Sequence, residues 1–281
     1  KAGSWSDVGL WVETFNPSTA TPLEKFKPAG DGSTGAFNAT TDTGPYQITT
    51  PEGLAWFAYK VNNDNAAFGS KSAAVPEGSP AFDLAGVKYG GQVDAGASSD
   101  EAKYANALAW EPVAKGVATV SYKGDFDGGL VPMKNLYVPK NASSTTNLSG
   151  LFCSVSGSTI KRTVVESGYA ASSTVSAGIA AQAENATFEQ CSSGVSLNGY
   201  YQAGGIVGNA VGTLSVKDCL NEGALMAGTE RGGIVGAARD AASITITNCS
   251  NVYALADGQF DPITKETTAV SFANNYYLSG G

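Results

Sequence analysis

The chain contains 281 residues, of which 35 are glycine and only 15% are charged, a composition typical of short strands and tight turns. Its net charge of −8 argues against a nucleic-acid partner and against an anionic membrane surface, because both require clustered lysine and arginine. No apolar run approaches the roughly 18 residues of a membrane span, so we expect no membrane insertion. Histidine and Cys-x-x-Cys pairs are absent from the sequence, and we expect neither a metal nor a cofactor.

The N-terminal part predicts an irregular arm followed by one helix. Residues 1–44 mix aromatic patches with turn residues and show no regular period. Thr50 is suited to cap a helix that begins at Pro51, and apolar residues recur on one face from Leu54 to Val61. An amphipathic helix ahead of a repeat array predicts a cap over the first repeat.

A second helix is predicted over residues 98–110, with Tyr104 and Leu108 on one side, inside an insertion near 97–108. Asp94, Asp100 and Glu101 are the acidic residues there that we considered as calcium ligands. They fall short of the roughly six to eight oxygen ligands that calcium takes, so we expect no metal site.

From residue 149 onward the chain repeats itself. Ala-Gly-Ile-Ala-Ala at 177–181 and Gly-Gly-Ile-Val-Gly at 204–208 and 232–236 follow one another at spacings of 27 and 28 residues, and Ser-Gly-Leu-Phe-Cys at 149–153 is a looser first copy. A period this short is too small for an independent domain. Each unit must therefore stack on its neighbours to bury a core.

Each unit predicts short strands joined by bends. Leu214 and Val216 alternate with polar residues, which places the apolar side chains on one face. Cys219 breaks that alternation, so we expect a bend near Asp218. Three short strands every 28 residues or so predict a mainly β single-stranded parallel β-helix; the leucine spacing of a horseshoe solenoid is absent.

Like positions of successive coils are predicted to form ladders inside the stack. One ladder comprises Ile179, Ile206 and Ile234, and a second comprises Cys191, Cys219 and Cys249. Stacked cysteines lie near disulfide distance, but a ladder of three cannot pair completely. We expect buried free thiols that pack as small apolar groups.

The repeats resemble the GLUG-type repeats of large bacterial surface proteins. Further similar elements occur in the expected order at 45–58, 93–96 (where an acidic Asp-Ile-Asp-Leu-like strand is common), 110–113, 124–129, 135–138 and 275–278. The resemblance implies a right-handed β-helix that a bacterium exports, placed outside the cell or on its surface. The chain departs from the pattern at 97–108 and carries Leu130 and Val131 where a histidine is usual.

We predict one continuous domain with three parts. These are the arm over 1–44, the capping helix and irregular first coils over 45–148, and the regular repeats over 149–281. The chain begins at Lys1 without methionine and ends in Ser-Gly-Gly. Both ends are typical of a fragment, so we expect a monomeric module of a longer protein.

The favoured function is a non-enzymatic adhesive or stalk module, with a host glycan or surface protein as its partner. Tyr200 and Tyr201 break the repeat and are the candidate ligand contacts; no catalytic residue is assigned. The alternative is a polysaccharide lyase or glycoside hydrolase. A hydrolase needs two carboxylates about 5–9.5 Å apart. Asp125 and Asp127 are close in sequence, but an Asp-Gly turn explains them.

Overall fold

The computed structural model describes residues 3–5, 45–115, 120–140, 148–238, 241–252, 260–261 and 270–277. Most of the predicted arm over 1–44 lies outside this set. Helices occupy Pro51–Asn63 (α1), Asn65–Phe68 (α2) and Asp100–Tyr104 (α3), with a 3₁₀ turn at Val87–Tyr89. The rest of the regular structure is β, and every strand pair among the described residues is parallel.

The described strands form three sheets. The first runs in the order β1 (Tyr46–Gln47), β2 (Ala73–Ala74), β4 (Phe126–Asp127), β9 (Thr159–Lys161), β12 (Ala180–Glu189), β15 (Val207–Lys217), β20 (Ala241–Thr247) and β23 (Val270–Ala273), while β8 (Phe152–Ser156) also pairs with β12 and β19 (Val235–Ala237) with β15. The second runs in the order β3 (Phe82–Asp83), β5 (Pro132–Lys134), β10 (Val164–Ser172), β13 (Ser192–Gly199), β16 (Leu220–Asn221), β21 (Ser250–Asn251) and β24 (Tyr276–Tyr277), with β6 (Leu136–Val138) beside β10 and β17 (Leu225–Ala227) beside β13. The third runs in the order β7 (Leu148–Ser149), β11 (Val175–Ala177), β14 (Gln202–Gly204), β18 (Glu230–Gly232) and β22 (Phe260–Asp261).

The sequence period reappears as strand register. The chain passes from β12 in the first sheet to β13 in the second and β14 in the third, and then returns to the first sheet at β15. Phe188 of β12 lies beside Ile160 on one side and Val216 on the other, each 28 residues away. The prediction of a mainly β chain with parallel pairing is confirmed, and the arrangement is consistent with a parallel β-helix.

The main hydrophobic core includes Trp5 and extends along the sheets from Tyr46 on β1 to Cys249. Ile179, Ile206 and Ile234 are fully buried in it. The Ile206 backbone N–H donates to the Ile234 carbonyl at 3.0 Å, and the Ile206 carbonyl accepts from Ala180 at 3.0 Å. The three isoleucines are thereby linked to their neighbouring turns by backbone hydrogen bonds.

The expected bend at Asp218 is present and recurs in neighbouring units. Asp218 has a φ of 54° and Asn248 a φ of 53°, a left-handed conformation that Asn and Asp tolerate best. The Asn248 side-chain amide donates to the Asp218 carboxylate at 2.9 Å, and Asn274 donates to Asn248 at 3.2 Å. The bends are thus joined by a ladder of side-chain hydrogen bonds.

The repeated glycines make room for a second, buried polar ladder. Ser193, Asn221 and Asn251 occupy paired positions in the second sheet and are almost completely buried. Asn221 donates to Asn251 at 2.8 Å and to the Gly223 carbonyl at 3.1 Å. A Cβ atom on Gly205 would collide with the Asn221 side chain. Glycine is required there by this close approach.

The predicted first helix is confirmed as α1. Thr50 Oγ1 accepts from the Gly53 N–H at 3.1 Å, and Pro51 opens the helix. Trp56 and Phe57 are buried and contact Tyr46 on β1, with ring centroids 5.5 and 5.8 Å apart. The helix therefore covers the strand that stands at one end of the first sheet.

Two expectations for the insertion are wrong. The second helix is limited to α3, because Leu108 leaves the helix and donates its N–H to the Ala85 carbonyl at 2.9 Å. Residues 94–97 form a turn closed by the Ala97 N–H on the Asp94 carbonyl at 3.2 Å, and Asp94 Oδ1 accepts from the Gly96 N–H at 2.9 Å. A strand that ends in an acidic residue occurs earlier in the chain: β3 ends at Asp83 and pairs with β5.

We predict that Ile206→Asp destabilises the fold by more than about 3 kcal/mol, because it buries an unpaired carboxylate between two turns of the chain. Lys217→Ala is the matched control, since the Lys217 side chain is 53% exposed. Thermal unfolding followed by circular dichroism measures both. An unchanged melting temperature for Ile206→Asp would contradict the inward placement.

Gly205→Ala is expected to lower stability by about 1–3 kcal/mol or more, because the new methyl group overpacks the Asn221 ladder. Gly96→Ala serves as the control, since its Cβ would meet only the Asp94 carboxylate at an ordinary 3.5 Å. Urea titration of both variants compares them directly. Equal midpoints would show that the repeated glycine is not needed for packing.

Candidate ligand-contact surface

Tyr200 and Tyr201 are held at the surface just after β13. They are 61% and 52% exposed, and their rings meet edge to face with centroids 4.7 Å apart. Their N–H groups donate to the Ser172 and Thr174 carbonyls at 3.2 and 3.0 Å. The Tyr201 carbonyl accepts from the Glu230 N–H at 2.7 Å. The pair is therefore fixed by the turns of chain on both sides.

Residues of the next turn lie beside the tyrosine pair. Gln202 Nε2 donates to Glu230 Oε2 at 2.8 Å, so the Glu230 carboxylate is bound to the residue that follows Tyr201 in sequence. Met226 is 48% exposed and adds an apolar group on the same turn. Arg231 Nη1 donates to the Leu225 carbonyl at 3.2 Å. We name Tyr200 and Tyr201 the tyrosine surface.

A polar cluster occupies the outer side of β13, up to four residues before Tyr200. The Ser196 hydroxyl donates to Asp100 of α3 at 2.6 Å, and Asn198 Nδ2 donates to the Tyr169 hydroxyl at 3.0 Å. Burial, together with the Glu101 carboxylate that bonds the same phenol, raises the pKa of Tyr169. The insertion thus reaches the repeats through polar contacts that sequence reasoning missed.

A small second core fixes the insertion on this outer side. Tyr169 and Ala171 of β10 belong to it, whereas Ala170 between them belongs to the main core. Tyr104 of α3 stacks on Tyr137 with ring centroids 6.5 Å apart. Alternate residues of β10 therefore serve two cores, and α3 covers the outer face of the second sheet.

The acidic residues of the insertion are bound to separate partners. Asp94 accepts from a backbone N–H and Asp100 from Ser196. In the part of the chain that the structure describes, no group of three or more His, Cys, Asp or Glu side chains lies close enough to hold a metal ion. None of the helices in the described ranges is long and apolar enough to cross a membrane.

The carboxylates of Asp125 and Asp127 also accept hydrogen bonds that stabilise the fold. Asp125 Oδ1 accepts from the Thr159 N–H at 2.8 Å. Asp127 binds Arg162 through both carboxylate oxygens, at 2.9 and 2.6 Å, and accepts from Gly129. Burial pushes the pKa of Asp127 upward, but these hydrogen bonds and the nearby cations outweigh it and hold the pKa below its usual value. Such a carboxylate is poorly suited to act as a general acid.

All four cysteines are free and buried. Cys219 Sγ accepts from the Cys191 N–H at 3.4 Å and contacts the Lys217 carbonyl at 3.2 Å. Burial raises the pKa of Cys219, whereas its hydrogen bond to Cys249 lowers the pKa of Cys249. The thiols of Cys191, Cys219 and Cys249 contact one another and the backbone inside the stack.

The native protein is predicted to react very slowly with Ellman's reagent, because the thiolate is the reactive form and these thiols are at most 2% exposed. The same chain in guanidinium chloride is the control and should release four equivalents. Rapid labelling of Cys191 or Cys219 in the native protein would contradict the burial of the cysteine ladder.

Comparison with known proteins leaves the family open. No family model matches the chain, and no curated protein matches it. A solved structure described as a "putative immunoglobulin A1 protease" from Bacteroides ovatus is similar, with 18% sequence identity over 84% of this chain and 76% of that chain and a TM-score of 0.45. This likeness is too distant to support a conclusion about function.

Proposed function

We propose that the chain is a right-handed, single-stranded parallel β-helix capped by α1, and that it serves as a non-enzymatic binding module of an exported bacterial surface protein. Its tyrosine surface is the proposed contact with a glycan. The observation that carries this proposal is the pair of exposed tyrosines fixed between two turns of a parallel β scaffold.

The order in which the chain visits the sheets supports the β-helix. Strands β12, β13, β14 and β15 belong to the first, second, third and again the first sheet. A path that returns to the same sheet beside and parallel to its previous strand is a crossover connection. Such connections are right-handed in about 98% of cases. The covered β1 and the buried face of α1 support the capping role.

The tyrosine surface supports binding for energetic reasons. A tyrosine ring offers a large amphipathic contact area and has only two side-chain torsions to fix on binding. The backbone bonds of Tyr200 and Tyr201 to both neighbouring turns lower that ordering cost further, because the loop is already placed. A ring face with an adjacent hydroxyl suits a sugar, which has apolar C–H faces and peripheral hydroxyls.

Export by a bacterium and placement at the cell surface are part of the proposal and rest on the resemblance to GLUG-type repeats. A rigid rod of this kind holds a contact surface at a fixed distance from an attachment point. That property fits an adhesive or stalk module. The polysaccharide-active enzyme is the competing proposal, and a protein surface is the competing partner.

A glycan array probed with the intact chain tests the function. We expect binding to some glycans, and a loss of at least about tenfold in affinity for Tyr200→Ala and for Tyr201→Ala, as for truncated aromatic anchors in general. Tyr276→Ala is the matched control, because Tyr276 is 68% exposed on β24, away from this surface.

Equal binding by Tyr200→Ala, Tyr201→Ala and the unchanged chain would contradict the assignment of the surface. Incubation of the chain with the bound polysaccharides then tests whether the chain cleaves them. Release of shorter oligosaccharides would contradict the non-enzymatic proposal and favour the lyase or hydrolase.

A further inference from the structure

We infer that the end of the stack formed by β23 and β24 is an interface for a second copy of this chain, which pairs edge to edge with β23 about a two-fold axis. This interface lies apart from the tyrosine surface in sequence and does not depend on the proposed glycan contact. A dimer of this kind departs from the expectation of a monomeric module. We name Val270, Phe272 and Tyr277 the end face.

The end face continues columns of side chains, in which like residues of successive turns lie in register. Phe272 occupies the last described place in one column. The members before it, all 0% exposed, are Phe126, Ile160, Phe188, Val216 and Ile246. Phe272 is 48% exposed. Tyr277 likewise follows Asn221 and Asn251, which are 0% exposed, and is itself 55% exposed. The end face therefore consists of core positions that are left exposed.

The backbone of β23 is an edge of the first sheet. β23 pairs with β20 on one side and, within the described ranges, with no strand on the other. Such an edge presents a row of N–H and C=O groups to which another strand can bind.

Side-chain hydrogen bonds hold this edge in place. Asn274 Nδ2 donates to Asn248 at 3.2 Å. Asn275 accepts from the Cys249 N–H at 2.8 Å and donates to the Ile246 carbonyl at 2.8 Å. Because the corner between β23 and β24 is already fixed, pairing with a partner strand incurs little ordering cost.

The edge also lacks the charges that usually prevent exposed strands from pairing. Lysine on an edge strand is a common protection against edge-to-edge association. The position of Lys217 is taken by Ala273 on β23, and that of Asp218 by Asn274. Residues 270–277 contain no charged side chain, whereas the chain as a whole has a net charge of −8. Two copies can therefore pair through β23 without bringing like charges of this segment together.

The opposite end of the same column is covered, which determines how the two copies meet. The column of Phe272 begins at Tyr46, which is 0% exposed and contacts Trp56 and Phe57 of α1. The helix therefore blocks a head-to-tail contact between β23 and β1. Two end faces meet instead, and a surface that binds its own copy closes as a two-fold dimer. A two-fold axis at Phe272 pairs the β23 strands antiparallel and keeps Val270 and Phe272 of both copies on the core side.

Sedimentation equilibrium of the intact chain at increasing concentration tests the interface, and we expect a reversible dimer. Phe272→Asp should raise the dissociation constant at least about tenfold, because it places an unpaired carboxylate between the copies. Ala273→Lys should have the same effect, because it restores at the edge the lysine that Lys217 supplies in an inner turn. Both positions are exposed, so circular dichroism should show an unchanged fold.

Leu130→Asp is the matched control, because Leu130 is 50% exposed but lies between β4 and β5. It should leave the dimer unchanged. A chain that stays monomeric, or a dimer that neither Phe272→Asp nor Ala273→Lys weakens, would overturn the inference. A peptide of residues 241–251 tests the competing occupant, a further coil of the same pattern. Binding of this peptide to a monomeric chain, lost in Phe272→Asp, would assign the end face to such a coil and overturn the second copy.

Discussion

The parallel hydrogen bonds between successive turns of the chain are the constraint on which the other features depend. They bring equivalent residues of neighbouring repeats about 4.8 Å apart, the spacing of paired strands. Every side chain must then tolerate its counterpart directly above and below. Isoleucine does so by packing, and the buried asparagines do so by bonding to each other, as Asn221 does with Asn251.

Inside the stack, a buried polar side chain needs hydrogen-bond partners, whereas a buried apolar side chain needs only close packing. A buried amide without partners costs about 1–3 kcal/mol, so Asn221 is stable inside because Asn251 and Gly223 satisfy it. On the outer side of the first sheet, Glu189 lies between Lys161 and Lys217 in register. Opposite charges therefore alternate at this position of the stack.

The sequence predicted the features that depend on the repeat spacing or on a local capping signal. The spacing of the repeats reappears in the strand register, as in the pairing of Phe188 with Val216, and the predicted cap at Thr50 correctly gave the start of α1. The buried ladder was missed, although Asn221 and Asn251 each stand two residues after a cysteine in the repeat. That shared spacing was the available signal.

The errors fall where the chain does not repeat. In the insertion, no neighbouring copy fixes the register, so a short helix and an acidic turn could not be told from a longer helix and a strand. The contact between Asp100 and Ser196 joins residues 96 positions apart and has no local signature. Tyr200 and Tyr201 could be singled out as candidates for the opposite reason, because two adjacent aromatic residues interrupt an otherwise regular unit.

We propose that the repetitive part of the molecule acts as a scaffold and that its departures from regularity supply the contact groups. Methyl nuclear Overhauser spectroscopy of the isoleucine-labelled chain tests the scaffold most directly. Stacking of the repeats predicts strong cross-peaks from Ile206 to both Ile179 and Ile234, because each occupies the equivalent place in a neighbouring turn. Absence of both cross-peaks in the folded protein would contradict the stacking of the repeats.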